Sequence, residues 1–171
     1  QTVTIEELQQ ELTEAIDQIV LDKKPKSLMA KTATQALAEY YQNGRQQLGQ
    51  PVFLEEPFGL RLENGGLVTG KIDRIDQMTD GSFCIVDYKT GEVKDQTSAD
   101  KNEQLTLYAL AVREGMELNA TSLKLYFFNR NQVVTTERSQ KKLDNYKKKL
   151  EQIFEEMQTS NFEPTPSERN C

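Results

Sequence analysis

A mixed α/β chain (α+β), with one central sheet flanked by helices, is the fold class the sequence predicts, and three observations carry it. Apolar residues recur at helical spacing near both ends, as Ile5, Leu8, Leu12 and Ile16 in one stretch and as Leu143, Tyr146, Leu150, Ile153 and Phe154 in the other. Between them lie short β-prone runs separated by Asn64-Gly65-Gly66 and Thr79-Asp80-Gly81, the turn chemistry that joins antiparallel strands. A helical stretch then precedes a fourth β-prone run, and a crossover of this kind is how a new strand is set parallel to its neighbour.

In chain order, Thr4-Ile5-Glu6-Glu7 has capping-box form and opens a helix over about Ile5 to Leu21. A second helix runs from Leu28 to Tyr41, with Leu28, Met29, Ala33, Leu37, Tyr40 and Tyr41 as a core-facing stripe, and stops at Asn43-Gly44. Three strands follow as a meander: Val52 to Leu62, bent or broken at Pro57-Phe58-Gly59, then Leu67 to Ile75, then Phe83 to Tyr88. A polar, flexible segment from Gly91 to Asp100 leads to a helix from Lys101 to Glu114, closed by Gly115. Leu123 to Phe128 is the fourth strand and Gln132 to Thr136 an edge strand. In the last helix Lys141, Lys142, Lys147, Lys148 and Lys149 lie mostly on the outer side and read as a solvated face, with a nucleic-acid contact as the alternative. The tail, Asn161 to Cys171, is extended.

With 171 residues the chain is expected to form one domain, with N-terminal helices over 1–50, a sheet core with its crossover helix over 51–137, and a C-terminal helix and tail over 138–171. Lys and Arg total 21 against 27 Asp and Glu, a formal charge of −6, so no global basic footprint marks a polyanion partner. No apolar run is long enough to span a membrane, and two cysteines do not make a disulfide framework; a reducing, cytoplasmic setting is expected. Histidine is absent, so catalysis would rest on carboxylates and lysine. Cys84, between Phe83 and Ile85, reads as a small buried residue.

The informative residues are Gly70-Lys71-Ile72-Asp73 and Ile85-Val86-Asp87-Tyr88-Lys89-Thr90-Gly91. Strand alternation puts Phe83, Ile85, Asp87 and Lys89 on one face, so a core-facing row turns ionic at its end. Asp73 on the neighbouring strand brings a second carboxylate to the same place. Two carboxylates and a few waters suffice for Mg²⁺ or Mn²⁺, and such a site suits hydrolysis of a phosphodiester. The competing reading is structural: Asp87 with Lys89 as a strand-end ion pair, and Asp73 with Arg74 as another.

These residues carry a resemblance. The G-x-x-D pattern ending at Asp73, Asp87-Tyr88-Lys89-Thr90-Gly91, and Gln104-Leu105-Thr106-Leu107-Tyr108 resemble, in order, the motifs of the PD-(D/E)XK nuclease superfamily, RecB-type (RecB/AddB-like) branch. The resemblance covers roughly Leu28 to Cys171 and implies a restriction-endonuclease-like α-β-β-β-α-β core. It implies that Asp73 and Asp87 are metal ligands, joined by the Tyr88 backbone carbonyl, and that Lys89 is the catalytic lysine. Glu55, in Leu54-Glu55-Glu56-Pro57-Phe58, matches the acid that precedes G-x-x-D, while Gln104 and Tyr108 would border the site and touch DNA or the catalytic groups. For that helical pair, plain packing plus one hydrogen bond is the alternative.

The chain departs from the branch in two places. Its members usually carry an upstream His as a further ligand, which here would lie before Gln1 or have been lost with a degenerated site. Phe162-Glu163-Pro164-Thr165-Pro166 followed by Cys171 is similar to the approach to iron-sulfur cysteines, but one thiolate does not hold a cluster that takes four, so none is expected unless the chain continues. Both departures point to a fragment of a larger helicase-nuclease or repair protein. The implied function is a metal-dependent deoxyribonuclease, an exonuclease acting on single-stranded DNA or duplex ends in repair and recombination beside a helicase domain. The alternative is a degenerate nuclease fold serving as a DNA-binding or docking module.

Overall fold

The computed structural model describes residues 3–160; the tail from Asn161 to Cys171, with the expected extended segment and the cysteine considered for a cluster, lies outside the described residues. Helix α1 (Ile5–Asp17) carries the expected capping box, the Thr4 hydroxyl accepting from the Glu7 N–H at 3.2 Å while the Thr4 N–H donates to Glu7 Oε2 at 2.8 Å. It ends short of Leu21. Ile19, Val20 and Leu21 are 42, 97 and 48% exposed, so the apolar pattern there has no surface to pack on and helix formation gains nothing from it.

Helix α2 (Lys23–Glu39) starts earlier than Leu28, because Pro25 falls in its first turn, where a missing N–H costs no hydrogen bond. None of its residues is buried, so the expected core-facing stripe reaches the core only just past its end, where Tyr40 packs edge-on against Tyr126 at 5.6 Å. Its apolar side meets α1 instead, and the two helices line an open groove of about 770 Å³ with Leu8, Leu12, Leu28, Met29 and Phe128. Nor does Asn43-Gly44 cap it: the chain widens into a π turn (Tyr40–Gly44) and then a 3₁₀ turn (Arg45–Gln47). Gly44 is there for close approach, since a Cβ would stand 1.9 Å from the Tyr126 hydroxyl oxygen.

The five strands β1 (Gln50–Arg61), β2 (Leu67–Gln77), β3 (Phe83–Lys89), β4 (Ala120–Phe127) and β5 (Gln132–Thr136) form one mixed sheet in sequence order. Only β3 and β4 are parallel; every other neighbouring pair is antiparallel. The crossover between them contains a short helix α3 (Gln96–Asp100), where a flexible segment was expected, and then α4 (Glu103–Gly115). Asp95 and Asn102 cap the two, accepting from Ser98 N–H at 2.7 Å and Leu105 N–H at 2.8 Å. Strand β1 is not broken at Pro57-Phe58-Gly59, whose residues pair with Lys71, Gly70 and Thr69; as an edge strand it tolerates a proline.

Helix α4 covers one face of the sheet. Leu105, Ala109, Leu110 and Val112 join Leu60, Ile72, Ile75, Ile85, Leu123, Leu125 and Phe127 in the main core. Each fully buried aliphatic or aromatic side chain there contributes about 1.5–3 kcal/mol. The opposite face holds a smaller cluster of Cys84, Val86 and Tyr126, with Tyr40, Tyr88 and Phe128 packed around it.

Helix α5 (Gln140–Thr159) closes the described chain, with Lys141, Lys148 and Lys149 exposed and Lys142 and Lys147 half-buried. Lys147 reaches Glu63 at 3.0 Å and Glu114 at 3.1 Å, Lys149 pairs with Glu103, and Lys142 donates to the Asp100 carbonyl. Arg138, just before α5, ties the crossover to β5 by donating to the Ala99 and Asn102 carbonyls and to the hydroxyls of Thr106 and Thr136. No described helix is long and apolar enough to cross a membrane.

Candidate active site

The strand-end residues converge where β2 and β3 separate. The β2–β3 ladder runs from Gln77↔Phe83 to Arg74↔Val86, and beyond it the bridge is made by a side chain: Asp73 Oδ2 accepts from the Tyr88 N–H at 2.8 Å. The alternation of β2 slips at the same point. Ile72 and Ile75 are both completely buried in the core under α4 although three positions apart, which strict alternation forbids. Opposite the slip, Leu54↔Arg74 and Glu56↔Ile72 pair, and Glu55 between them has a left-handed backbone with φ 52°. For a non-glycine residue that conformation costs roughly 1–2 kcal/mol, and strain of this kind gathers at functional sites.

Asp87 lies on the core face of β3, as alternation requires, and is 1% exposed. Its Oδ2 sits 2.6 Å from Lys89 Nζ as a charge contact without hydrogen-bond alignment, leaving that buried oxygen with no directed donor. Burial pushes the Asp87 carboxyl above its ordinary range, Lys89 opposes the shift, and the nearby charge of Asp73 adds to it. Lys89 Nζ in turn donates to Gln104 Oε1 at 2.8 Å, and Gln104 Nε2 donates to the Tyr108 hydroxyl at 2.7 Å. Gln104 and Tyr108, one turn apart on α4, thus extend the Asp87–Lys89 pair into a chain of four groups. Burial raises the Tyr108 phenol, the Gln104 hydrogen bond opposes this, and the carboxylates of Asp87, Asp73 and Glu55 raise it further. Those three acids and the phenol therefore share one electrostatic neighbourhood.

Glu55 stands at the rim, exposed, with Oε2 2.5 Å from Lys71 Nζ. Asp73, Asp87, Tyr88, Lys89, Gln104 and Tyr108 are all brought together. The Asp73–Arg74 pair of the competing structural reading does not form, because the two side chains leave β2 on opposite faces and Arg74 is taken by Asp76 at 2.5 Å; the other pair of that reading, Asp87 with Lys89, is present. Sequence reasoning also missed Phe58, whose ring meets Tyr108 edge-on at 5.9 Å, and Lys71 at the rim. The signal for Phe58 was present in Gly70, since a Cβ there would stand 2.7 Å from two Phe58 ring carbons.

The donor set fits a hard divalent cation. Asp73 and Asp87 supply carboxylate oxygens, and the buried Asp87 Oδ2 that receives no directed hydrogen bond is the kind of atom a cation would satisfy. Among the described residues no group of three or more His, Cys, Asp or Glu side chains converges on one point. The side-chain share of such a coordination shell would be two carboxylates, which suits Mg²⁺ because that ion keeps several waters.

The family model described as the PD-(D/E)XK nuclease superfamily matches residues 2–171. Among curated proteins, an ATP-dependent helicase/deoxyribonuclease subunit of Streptococcus mutans serotype c is 40% identical over 70 residues, covering 39% of this chain and 6% of that protein. The match thus spans a small part of a much longer relative.

Proposed function

This chain belongs to the PD-(D/E)XK nuclease superfamily, and we propose that residues 1–171 form one RecB-type nuclease domain of a longer helicase-nuclease or repair protein. Its activity would be metal-dependent hydrolysis of DNA phosphodiesters, as an exonuclease at single-stranded or duplex ends, in the cytoplasm. The observation that carries the reading is the linked set of Asp73, Asp87, Lys89 and Gln104 where the sheet opens. A purely structural Asp87–Lys89 pair gives no account of the second carboxylate, Asp73, whose charge reaches Asp87, nor of Gln104 held on Lys89. The likeness to a subunit whose name joins helicase and deoxyribonuclease supports the branch and the helicase partner.

Asp73 and Asp87 would hold Mg²⁺ or Mn²⁺, together with the Tyr88 backbone carbonyl. The bound ion supplies neutralisation of the phosphate charge and a lowered pKa for water. Lys89, steadied from one side by Asp87 and from the other by Gln104, would hold the attacking water and meet the charge that builds on the phosphate. Tyr108 keeps Gln104 turned toward Lys89 through its hydroxyl. Glu55 and Lys71 lie at the rim, where a strand would pass. With a chain this acidic and few cations gathered in one patch, the salt dependence of DNA binding should be shallow.

The test is degradation of end-labelled linear DNA with Mn²⁺, beside the variants Asp87→Asn and Lys89→Ala and a covalently closed circle. Loss in both variants, with folding retained and the circle spared, is the expected result. Cleavage surviving in both would refute the site. DNA bound but uncut would favour the docking module.

A further inference from the structure

On the face of the sheet away from α4, directly behind the site, lies a buried polar network. Arg74 and Asp76 of β2 are 7 and 0% exposed. The Arg74 guanidinium uses its whole fork: Nε donates to Asp76 Oδ1 at 2.5 Å, Nη2 to the Gly49 carbonyl at 3.0 Å, and Nη1 to the hydroxyls of Tyr88 at 3.2 Å and Tyr40 at 3.3 Å. Asp76 Oδ2 completes the ring by accepting from the Gly49 N–H at 2.9 Å. Burial opposes the Arg74 charge, but Asp76 and Tyr88 outweigh it and the group stays ionised. A buried pair of this kind is a poor source of stability, because apolar side chains of equal volume often serve as well or better.

Its geometry has another consequence. Asp73 and Arg74 are consecutive, and both bond to Tyr88 across the gap where the ladder has stopped: Asp73 Oδ2 takes the Tyr88 N–H at 2.8 Å on one side of the sheet, and Arg74 grips the Tyr88 phenol on the other. Tyr88 is packed edge-on against Tyr126 at 5.9 Å and tilted against Phe128 at 5.0 Å, contacts that restrain its ring on the side where Arg74 holds the phenol. Tyr40, at the end of α2, and Gly49, just before β1, are gathered into the same fork.

We propose that Arg74, held by Asp76, is a positioning residue for the Asp73 carboxylate and acts through Tyr88, fixing the amide that orients Asp73 where the strands part. The inference rests on the reading of Asp73 as a metal ligand, which the function above requires. Arg74→Lys keeps the charge and loses the fork, and Tyr88→Phe keeps the ring and the amide and loses only the hydroxyl.

The measurement is amide hydrogen exchange by NMR on the folded chain, with a calorimetric Mn²⁺ titration alongside. In both variants the Tyr88 amide should exchange about tenfold faster than in the parent while the Cys84 and Val86 amides keep their rates, and Mn²⁺ affinity should fall at least about tenfold, as for other groups that orient a ligand. An unchanged Tyr88 rate, or a rise shared by all three amides, overturns the proposal and leaves the pair a structural one. Should the Tyr88 amide respond alone while the parent chain binds no Mn²⁺, the positioning of Asp73 stands and the nuclease reading fails.

Discussion

Replacing Lys89 with methionine removes the cation 2.6 Å from Asp87 Oδ2, whose carboxylate side chain is 2% exposed while that of Lys89 is 32% exposed. Breaking a fully buried ion pair by deleting one partner costs about 3–5 kcal/mol. A third of the lysine is in solvent, where the pairing is screened, so the expected loss here is about 2 kcal/mol. For a chain of this size that lowers Tm by about 4–8 °C. Asp87→Asn should behave oppositely: it deletes a carboxylate whose charge burial opposes, and Lys89 keeps its bond to Gln104, so stability should hold or rise while cleavage is lost.

The pH dependence separates this from a packing effect. Because the folded-state pKa of Asp87 is raised, its contribution to stability is fully present below the unfolded carboxyl value of about 3.9 and is lost as pH rises through the folded value. Deleting Lys89 removes the influence that holds the folded value down and widens that loss. The deficit of Lys89→Met should therefore be full at neutral pH and fade toward about pH 4. Scanning calorimetry of parent and both variants across that range is the assay. Equal deficits in Lys89→Met and Asp87→Asn, or a deficit independent of pH, would refute the reasoning.

Gly70→Ala should cost about 1–3 kcal/mol, because its Cβ would fall 2.7 Å from two ring carbons of Phe58, and should slow cleavage through the Phe58–Tyr108 contact; an unchanged urea midpoint would count against that packing. Arg138→Met removes the guanidinium hydrogen bonds to the Ala99 and Asn102 carbonyls and to the Thr106 and Thr136 hydroxyls and should cost about 1.5–3 kcal/mol in the same assay, with cleavage weakened because α4 carries Gln104. Mn²⁺ at about a hundred times its Kd should stabilise the parent by about 2.7 kcal/mol, reversibly on adding EDTA. Asp87→Asn should show no such gain, and a comparable one would move the metal site elsewhere.

Local pattern was enough for the order of the elements, the parallel β3–β4 step and the alternation that puts Asp87 and Lys89 on the core face, because helical and strand periodicities and turn chemistry act over a few residues. It also placed Gln104 and Tyr108 on one face of α4, where they meet Lys89 as adjacent turns of a helix allow. The remainder was settled by packing. Where α1 ends, and that α2 leaves its apolar side on an open groove, depends on what surface is there to be buried. Alternation puts Arg74 and Asp76 on one face, but that both are buried there and gathered with Gly49, Tyr40 and Tyr88 depends on what packs against that face, as does the slip that brings Ile72 into the core with Ile75. Alternation sends Asp73 to one face and Arg74 to the other, so one strand end presents a carboxylate to the site while its neighbour anchors the sheet behind it. Pairing and burial across strands are set by residues far apart in the chain, and only the folded sheet brings them into contact.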